Sequence, residues 1–296
     1  MLKRTLYFTK PSYLSVKNKQ LVIDVKEQEQ VATVPIEDIG FMVIESMQIT
    51  LSMPLISELM DSNVAVIFCN AKHHPQSMLL NMEGNHQQTE VQRQQVAASE
   101  PLKKNLWKQT VVAKIENQAQ LLQKLGIDPA PLPYLAKQVK SGDTDNREGM
   151  AARVYWKKLF GERFTRERYG HWPNAPLNYG YTVLRAAVAR ALTGSGLLPS
   201  FGIFHSNRYN AFCLADDIME PYRPFVDQCV YNIWQSYPHL QTVEKELKAE
   251  LLTVLSSDVG MKKQTRPLMV AITHTTASLV ACFSGGKKQV EYPLIV

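Results

Sequence analysis

The chain has 296 residues, 45% apolar, 20% charged and 9% aromatic, a composition that excludes a disordered chain, a collagen-like fibre and a disulfide-stapled mini-protein. At roughly 150 residues per domain the length predicts about two domains, and no run approaches the about 18 apolar residues of a membrane span. The net charge of +6 is unevenly spread: residues 1–90 carry 7 basic and 10 acidic side chains and the remainder 26 and 17, so the larger portion favours a polyanionic partner.

The N-terminus, Met1-Leu2-Lys3-Arg4, leads straight into strand-like sequence with no long apolar run or cleavage-like site, so no signal peptide is expected. Up to about residue 80 the pattern is one of short strands. Thr5–Phe8, Tyr13–Val16, Gln20–Val25, Val31–Val34, Ile39–Ile44 and Val64–Phe68 are rich in Val, Ile, Tyr and Phe, and Lys17-Asn18-Lys19 and Lys26–Gln30 separate some of them. Their spacing predicts an antiparallel sandwich. One helix interrupts it over Pro54–Met60, with Leu55, Ile56, Leu59 and Met60 on one stripe. After residue 85 the pattern turns helical. Glutamine-rich His86–Gln95 leads into a long polar helix that Pro101 breaks or restarts and Gly126 stops. Asp128–Pro133 is a turn, and helices are predicted at about 145–160, 176–193, 210–235, 241–255 and 266–283. The fold class expected is α+β: an N-terminal β-sandwich-like domain over 1–85, then a larger all-helical domain over 86–296. Val290–Val296 reads as a last strand able to dock on another subunit. The four cysteines, Cys69, Cys213, Cys229 and Cys282, form no CxxC pair, which predicts free thiols and a cytoplasmic location.

Several residues could carry chemistry. Glu148 sits at a helix start, where Asp145 as N-cap and Glu148 three residues on make a near capping box. Against that, Ala151, Ala152 and Tyr155 share its face and look buried, and a carboxylate turned inward needs a cation or many donors. His205 ends the apolar loop Phe201-Gly202-Ile203-Phe204; a lone histidine there also serves structure alone. Asp217 and Glu220 share a helix face, although Pro221 weakens helical geometry at Glu220, and the alternative is a solvated acidic turn. One imidazole with two or three carboxylates from separate helices suits an oxygen-liganded Mg2+ or Mn2+ and not a structural zinc site. Cys69 with His73-His74 is at most a zinc fragment, since two further ligands are missing. Around Glu148, seven basic residues (Arg147, Arg153, Lys157, Lys158, Arg163, Arg166, Arg168) interleave with Tyr155, Trp156, Phe160, Phe164, Tyr169 and Trp172. Such a pattern tracks phosphates and stacks on unpaired bases, or is a solvated helix face over an aromatic core. On the next helix Leu184, Ala187, Val188, Ala191 and Leu192 form a core stripe, leaving Asn178, Tyr179 and Arg185 to face a ligand.

Leu177-Asn178-Tyr179-Gly180-Tyr181 with Leu184-Arg185, then Gly202-Ile203-Phe204-His205, Asn210-Ala211-Phe212 and Leu214-Ala215-Asp216-Asp217-Ile218-Met219-Glu220-Pro221-Tyr222-Arg223-Pro224 resemble the CRISPR-associated spacer integrase, the first protein of the CRISPR adaptation module (Cas-one), in its type II branch. The resemblance spans nearly the whole chain. It implies that Glu148, His205 and Glu220 are the metal ligands and catalytic residues, with Asp217 in support. It further implies a homodimer formed through the β domains, two of which bracket a dimer of the small second adaptation protein (Cas-two) in a heterohexamer. The type II branch adds contact with the effector nuclease and a further accessory adaptation protein.

The reaction this implies is phosphoryl transfer on DNA, in which a 3′-hydroxyl of a captured fragment attacks a phosphodiester at the border of a CRISPR repeat. With water as nucleophile the same site nicks DNA. Arg147, Arg153, Lys157, Asn178, Tyr179 and Arg185 are the expected DNA contacts. The alternatives are a non-catalytic DNA-binding scaffold, whose acids and histidine act as caps and core polar groups, and a metal-dependent nuclease of unrelated role.

Overall fold

The computed structural model describes residues 3–26, 31–71, 75–82, 84–167, 172–237, 245–262 and 264–296, with Lys245 described by its backbone. The chain divides into two compact units, Met1–Gly84 and Asn85–Val296.

The first unit holds β1 (Arg4–Phe8), β2 (Ser12–Lys17), β3 (Gln20–Val25), β4 (Ala32–Pro35), β5 (Ile39–Ile44), β6 (Ile49–Leu51), α1 (Met53–Asp61), β7 (Ala65–Cys69) and β8 (Pro75–Leu79). Two four-stranded sheets form, in the orders β1-β5-β7-β8 and β4-β3-β2-β6. Leu14 and Leu21 from the second sheet, Met42, Ile44 and Val66 from the first, and Leu55 and Leu59 from α1 share one apolar core. Between β2 and β3, Asn18 and Lys19 both adopt positive φ, 52° and 57°, the two-residue turn whose twist suits a hairpin.

The expected antiparallel arrangement is corrected. β1–β5, β5–β7 and β2–β6 pair in parallel, while β2–β3, β3–β4 and β7–β8 are antiparallel. The chain leaves the first sheet after β1, builds β2 to β4 in the second, and returns as β5. It leaves again through β6 and α1 before β7. Parallel neighbours need such crossovers. The sign was in β5 itself: Ile39-Gly40-Phe41-Met42-Val43-Ile44 is buried at every position, as a strand covered on both faces must be.

The second unit is built around α3 (Glu100–Lys124) and also contains α2 (Gln88–Val96), α4 (Leu132–Lys137), α5 (Arg147–Phe160), α6 (Asn174–Gly194), α7 (Cys213–Met219), α8 (Arg223–Ser236), α9 (Lys245–Leu252) and α10 (Leu268–Phe283). Ser99 caps α3, its Oγ accepting from Leu102 N at 3.4 Å, with Pro101 in the first turn. Pro101 therefore restarts the helix. The helix expected over 210–235 is split: α7 ends at Met219, Glu220–Tyr222 forms a 3-10 turn, and α8 begins at Arg223. Pro221 and Pro224 lack the N–H that a continuous helix would use. Residues 241–244 of the next predicted helix lie outside the described residues.

The unit is not all-helical. β9 (Asp258–Met261) and β10 (Gln264–Pro267) form an antiparallel pair, in which Val259 and Met261 are buried while Asp258 is exposed. The C-terminal segment docks on this pair within its own chain, correcting the expectation of a foreign subunit. Gly260 and Leu294 exchange both backbone hydrogen bonds, at 2.9 and 2.8 Å. Asn117 on α3 holds the same segment: its Nδ2 donates to Pro293 O and its Oδ1 accepts from Ile295 N. A Cβ at Gly260 would lie 2.6 Å from Val296 Cγ1, so glycine permits the close approach. All four cysteines are free thiols, and among the described residues no helix is long and apolar enough to cross a membrane.

Candidate active site

Glu148 reaches the site because other residues cap its helix. Asn146, not Asp145, is the N-cap of α5. It sits at φ 51°, and its Oδ1 accepts from Gly149 N at 3.1 Å. The Asp143 carboxylate accepts from Arg147 N and Glu148 N at 2.9 and 3.0 Å. Asp145 instead pairs with Lys140 at 2.8 Å. The capping-box alternative is thereby overturned. With the orphan N–H groups already satisfied, the Glu148 side chain points along the face of Ala151 and Tyr155, both fully buried.

What it meets there is Lys114, from the middle of α3. The ammonium contacts Glu148 Oε1 and lies 2.5 Å from Glu220 Oε2. On the other side of Glu220, Arg223 Nε is 2.8 Å from Oε1. Glu220 is only 6% exposed, so the solvated-turn alternative fails for it. Burial would raise its pKa, but the Arg223 and Lys114 charges outweigh that and hold the carboxyl down at about 2. Lys114 is moved the other way. Burial works against its charge, and the Glu220 and Glu148 carboxylates more than offset that to raise it. Neither Glu220 Oε2 nor Arg223 Nε is aligned with its partner as a hydrogen bond. These groups are held by charge, with lone pairs left on a buried carboxylate oxygen.

His205 is organised by Asp217, which is fully buried. Asp217 Oδ2 accepts from the backbone N–H groups of Ile203 and Phe204 at 2.7 and 3.0 Å, and Oδ1 from that of His205 at 3.2 Å. Oδ1 also lies 2.6 Å from His205 Nδ1. A carboxylate bonded to Nδ1 fixes that nitrogen as the donor and leaves Nε2 as the free ring nitrogen. This hydrogen bond raises the His205 pKa; partial burial opposes it, and the charges of Asp217, Glu220 and Asp216 add to the rise. The loop fits closely: a Cβ at Gly202 would lie 2.7 Å from Asp217 Oδ2. Phe204 stacks on Trp107 of α3 with ring centroids 4.2 Å apart, and the His205 ring meets Trp107 edge-on. Thus α3 supports both halves of the site, through Trp107 and Lys114.

The carboxylates of Glu148 and Glu220 converge on a single cation position, and His205 feels the Glu220 charge. Among the described residues, however, no group of three or more His, Cys, Asp or Glu side chains is placed to hold an ion; the cation between the carboxylates is Lys114's own. The donor types nonetheless fit a divalent ion. Two carboxylates and an imidazole Nε2 make an oxygen-rich set suited to Mg2+ or Mn2+, and the pair already accommodates a positive charge. His73 and His74 of the zinc fragment lie outside the described residues.

The expected DNA contacts divide. Arg153 and Lys157 are exposed, Lys157 pairing with Glu162 at 3.2 Å. Arg147 lies near Asp145 at 3.7 Å. Arg185 Nε donates to Asp216 at 2.6 Å, its side chain 40% exposed. Asn178 Oδ1 accepts from Arg166 at 2.6 Å. Tyr179 is corrected: it is 3% exposed, with the Lys248 ammonium 5.8 Å from its ring centroid, so its ring is a packing group and not a presented surface. Trp156 and Phe164 pack on Phe160, which in turn meets Tyr231 and Trp234 of α8, so these aromatics belong to a cluster within the unit. Arg168 and Tyr169 lie outside the described residues.

Patterning singled out neither Lys114 nor Trp107, and Arg223 only as a member of the run Leu214–Pro224. The signal for Lys114 was a cation on the otherwise buried helical stripe of Trp107, Val111, Gln118 and Leu121.

A family model for CRISPR associated protein Cas1 matches residues 6–263. The CRISPR-associated endonuclease Cas1 of Neisseria meningitidis serogroup C (strain 8013) is 37% identical over 299 aligned residues, covering 100% of this chain and 97% of that protein. In fold, the chain is similar to a casposase bound to integration product, with TM-score 0.79 at 20% identity over 98% of this chain and 92% of the other. It is similar also to part of a Cas6-RT-Cas1–Cas2 complex, with TM-score 0.71 at 18% identity over 97% of this chain and 35% of that one. The family match over most of the length, with the full-length relative, shows that this chain belongs to the Cas1 family of CRISPR-associated proteins.

Proposed function

We propose that the chain is a metal-dependent DNA integrase and endonuclease of CRISPR adaptation, of the type II branch, inserting captured DNA fragments at a CRISPR repeat by 3′-hydroxyl attack on a phosphodiester. The observation that carries this reading is the convergence of Glu148 and Glu220 on one cation position, beside a histidine whose Nδ1 is engaged by Asp217. The full-length relative, named an endonuclease, supports the nuclease class. The casposase neighbour likens the fold to a protein seen with an integration product.

Glu148, Glu220 and His205 Nε2 would hold Mg2+ or Mn2+, which when bound supplies charge stabilisation for the pentacoordinate phosphoryl transition state and its leaving oxygen. The chain's own residues do the orienting. Asp217 keeps the His205 ring turned, and its acceptance of three successive N–H groups stiffens the loop. Arg223 keeps Glu220 ionised. One P–O bond forms as another breaks, and the nucleophile's proton goes to solvent, so no nucleotide cofactor is required. Arg147, Arg153, Lys157 and Arg185 would follow the phosphate backbone, making binding fall with salt. The same reading gives a homodimer through the N-terminal unit and assembly with the second adaptation protein in a heterohexamer, a partner also present in the complex that the fold resembles. Contacts with the effector nuclease and the accessory protein follow from the type II branch.

The test is strand transfer of a labelled oligonucleotide duplex into a repeat-containing target in Mn2+, with and without EDTA. Glu148→Ala and His205→Ala should each lose about 100-fold or more of the rate while retaining most DNA binding. Joining that survives EDTA, or wild-type rates from either variant, would overturn the assignment. Binding with no metal-dependent product from the wild type would make the chain a scaffold. Cutting without joining would make it a nuclease of another role.

A further inference from the structure

Lys114 has no part in the reaction just described, yet it occupies the centre of the site. Its side chain is buried on α3 and ends between two carboxylates drawn from separate elements, Glu148 of α5 and Glu220 of the turn before α8. Arg223 faces Glu220 from the far side. One ammonium and one guanidinium thus balance two carboxylates, and the quartet is neutral.

Adding a divalent ion to that quartet would leave a double positive charge in a buried place, an arrangement with a large desolvation penalty. There is also no room for both. Mg2+ needs carboxylate oxygens at about 2.0–2.1 Å, and Glu220 Oε2 already has Nζ at 2.5 Å. An ion held by the two oxygens that face each other here, Glu148 Oε1 and Glu220 Oε2, would take the space where Nζ now lies.

We propose that Lys114 is the internal counter-ion of the site: its ammonium holds Glu148 and Glu220 facing one another in the metal-free protein, and a divalent ion enters by displacing it from between them. This rests on the metal-dependent reading above. It assigns Lys114 as a positioning residue that preserves the carboxylate pair before loading and sets how tightly the ion binds. The flexible four-carbon stem of lysine lets the ammonium leave without moving α3, which the fork of an arginine would not allow as readily.

The experiment compares the full chain with Lys114→Met and Lys114→Gln, measuring Mn2+ affinity by electron paramagnetic resonance of the free ion and thermal midpoints with and without Mn2+. Both variants should melt below the wild type without metal, because two carboxylates then face each other unbalanced. Both should bind Mn2+ roughly tenfold more tightly or better, having no cation to displace. Mn2+ should raise their midpoints by more than it raises that of the wild type. Equal or weaker Mn2+ binding by the soluble variants would overturn the counter-ion role and leave the metal reading standing. Mn2+ binding by neither wild type nor variants would overturn both. Should neither variant fold, the wild type carries the test. Mg2+ should increase acetylation of Lys114 by an amine-reactive ester several-fold relative to Lys103 and Lys124 on the same helix, read by mass spectrometry. An unchanged or lower ratio would overturn the proposal.

Discussion

Two buried carboxylates seven residues apart are shifted in opposite directions. Glu220, in the turn before α8, lies between Lys114 and Arg223, and its pKa is driven down to about 2 although burial pushes the other way. Asp227, within α8, is met by phenols. Tyr155 Oη donates to its Oδ2 at 2.8 Å and Tyr181 Oη donates to its Oδ1. Burial there prevails over both hydrogen bonds and over the more distant Arg223 and Arg166 charges, and the pKa rises to about 6. The difference teaches that cations in direct contact, as Lys114 and Arg223 are with Glu220, offset burial more fully than phenol donors do. The Tyr181 ring stands at the border of the two environments. The Arg223 guanidinium lies 4.5 Å from its centroid while also pairing with Glu220, and that of Arg166 lies 5.2 Å away. In the function proposed above, the site for chemistry is the cation-bounded region. The phenol-bounded region ties α5, α6 and α8 together behind it.

The most severe way to break this contrast is to remove the cation that the two regions share. Arg223→Met leaves Glu220 buried with one partner fewer and strips the Tyr181 ring of its guanidinium. Losing one member of a buried pair costs about 3–5 kcal/mol, so urea unfolding at neutral pH should show a loss in that range. A loss below about 1 kcal/mol would mean that Lys114 alone keeps Glu220 charged.

The contrast also predicts two limbs of opposite sign in stability against pH for the metal-free protein. Glu220 has a folded pKa below its unfolded value of 4.5. The stability it contributes is complete above that value and is lost as pH falls through about 2. Asp227 has a folded pKa above its unfolded 3.8. Its contribution is complete below that value and is lost as pH rises through about 6. Each limb is at most on the order of 3 kcal/mol. Glu220→Gln should flatten the acid limb and Asp227→Asn the one between about pH 4 and 6, read from urea midpoints across the range. If Asp227→Asn left the second limb intact, the phenol-bounded carboxylate would be ionised throughout.

These two environments were not equally legible in the chain. The inward turn of Glu148 could be read from Ala151, Ala152 and Tyr155, because a helix repeats its face within four residues. The paired roles of Asp217 and Glu220 could be read only as a spacing. Asp217 bonds to the 203–205 loop and Glu220 to α3 and Arg223, so the two share a helix end but not a target. Lys114 was invisible for a related reason. Its partners lie 34 residues away and beyond, and α3 reads as polar because its buried face includes Thr110, Asn117 and Gln118 beside the apolar residues. In the first unit, alternation and β-branched runs marked six strands. It missed β6, which has three residues, and β8, which starts at Pro75 and is exposed at Gln76 and Ser77. Strand direction was lost as well, since periodicity within a strand says nothing about which neighbour it joins.

A smaller effect sharpens the phenol-bounded side. Tyr155→Phe and Tyr181→Phe each remove one donor from Asp227 while keeping the ring. Each should cost about 1–2 kcal/mol at neutral pH, where the carboxylate is charged, and each should raise the Asp227 pKa further. Because both phenols serve one carboxylate, the double variant should depart from the sum by at least about 0.5 kcal/mol, measured in the same urea assay. Additive losses would show that the two rings stabilise their helices through packing and not through Asp227.

The smallest effect concerns what frees Glu148 for the cation-bounded side. Its helix start is already satisfied by Asn146 and Asp143, and Gly149 lets the Asn146 side chain close over the first turn, since a Cβ there would lie 2.7 Å from Asn146 Oδ1. Gly149→Ala should therefore gain none of the up to about 1 kcal/mol that alanine normally brings to a helix over glycine. Asn146→Gly keeps the positive φ and should lose only a few tenths of a kcal/mol. The two changes together should recover part of the helix propensity, because the methyl group then has no amide to displace. If Gly149→Ala alone stabilised the protein in thermal melts, the Asn146 cap would be dispensable, and Glu148 would owe its inward direction to Lys114 and not to the capping of its helix.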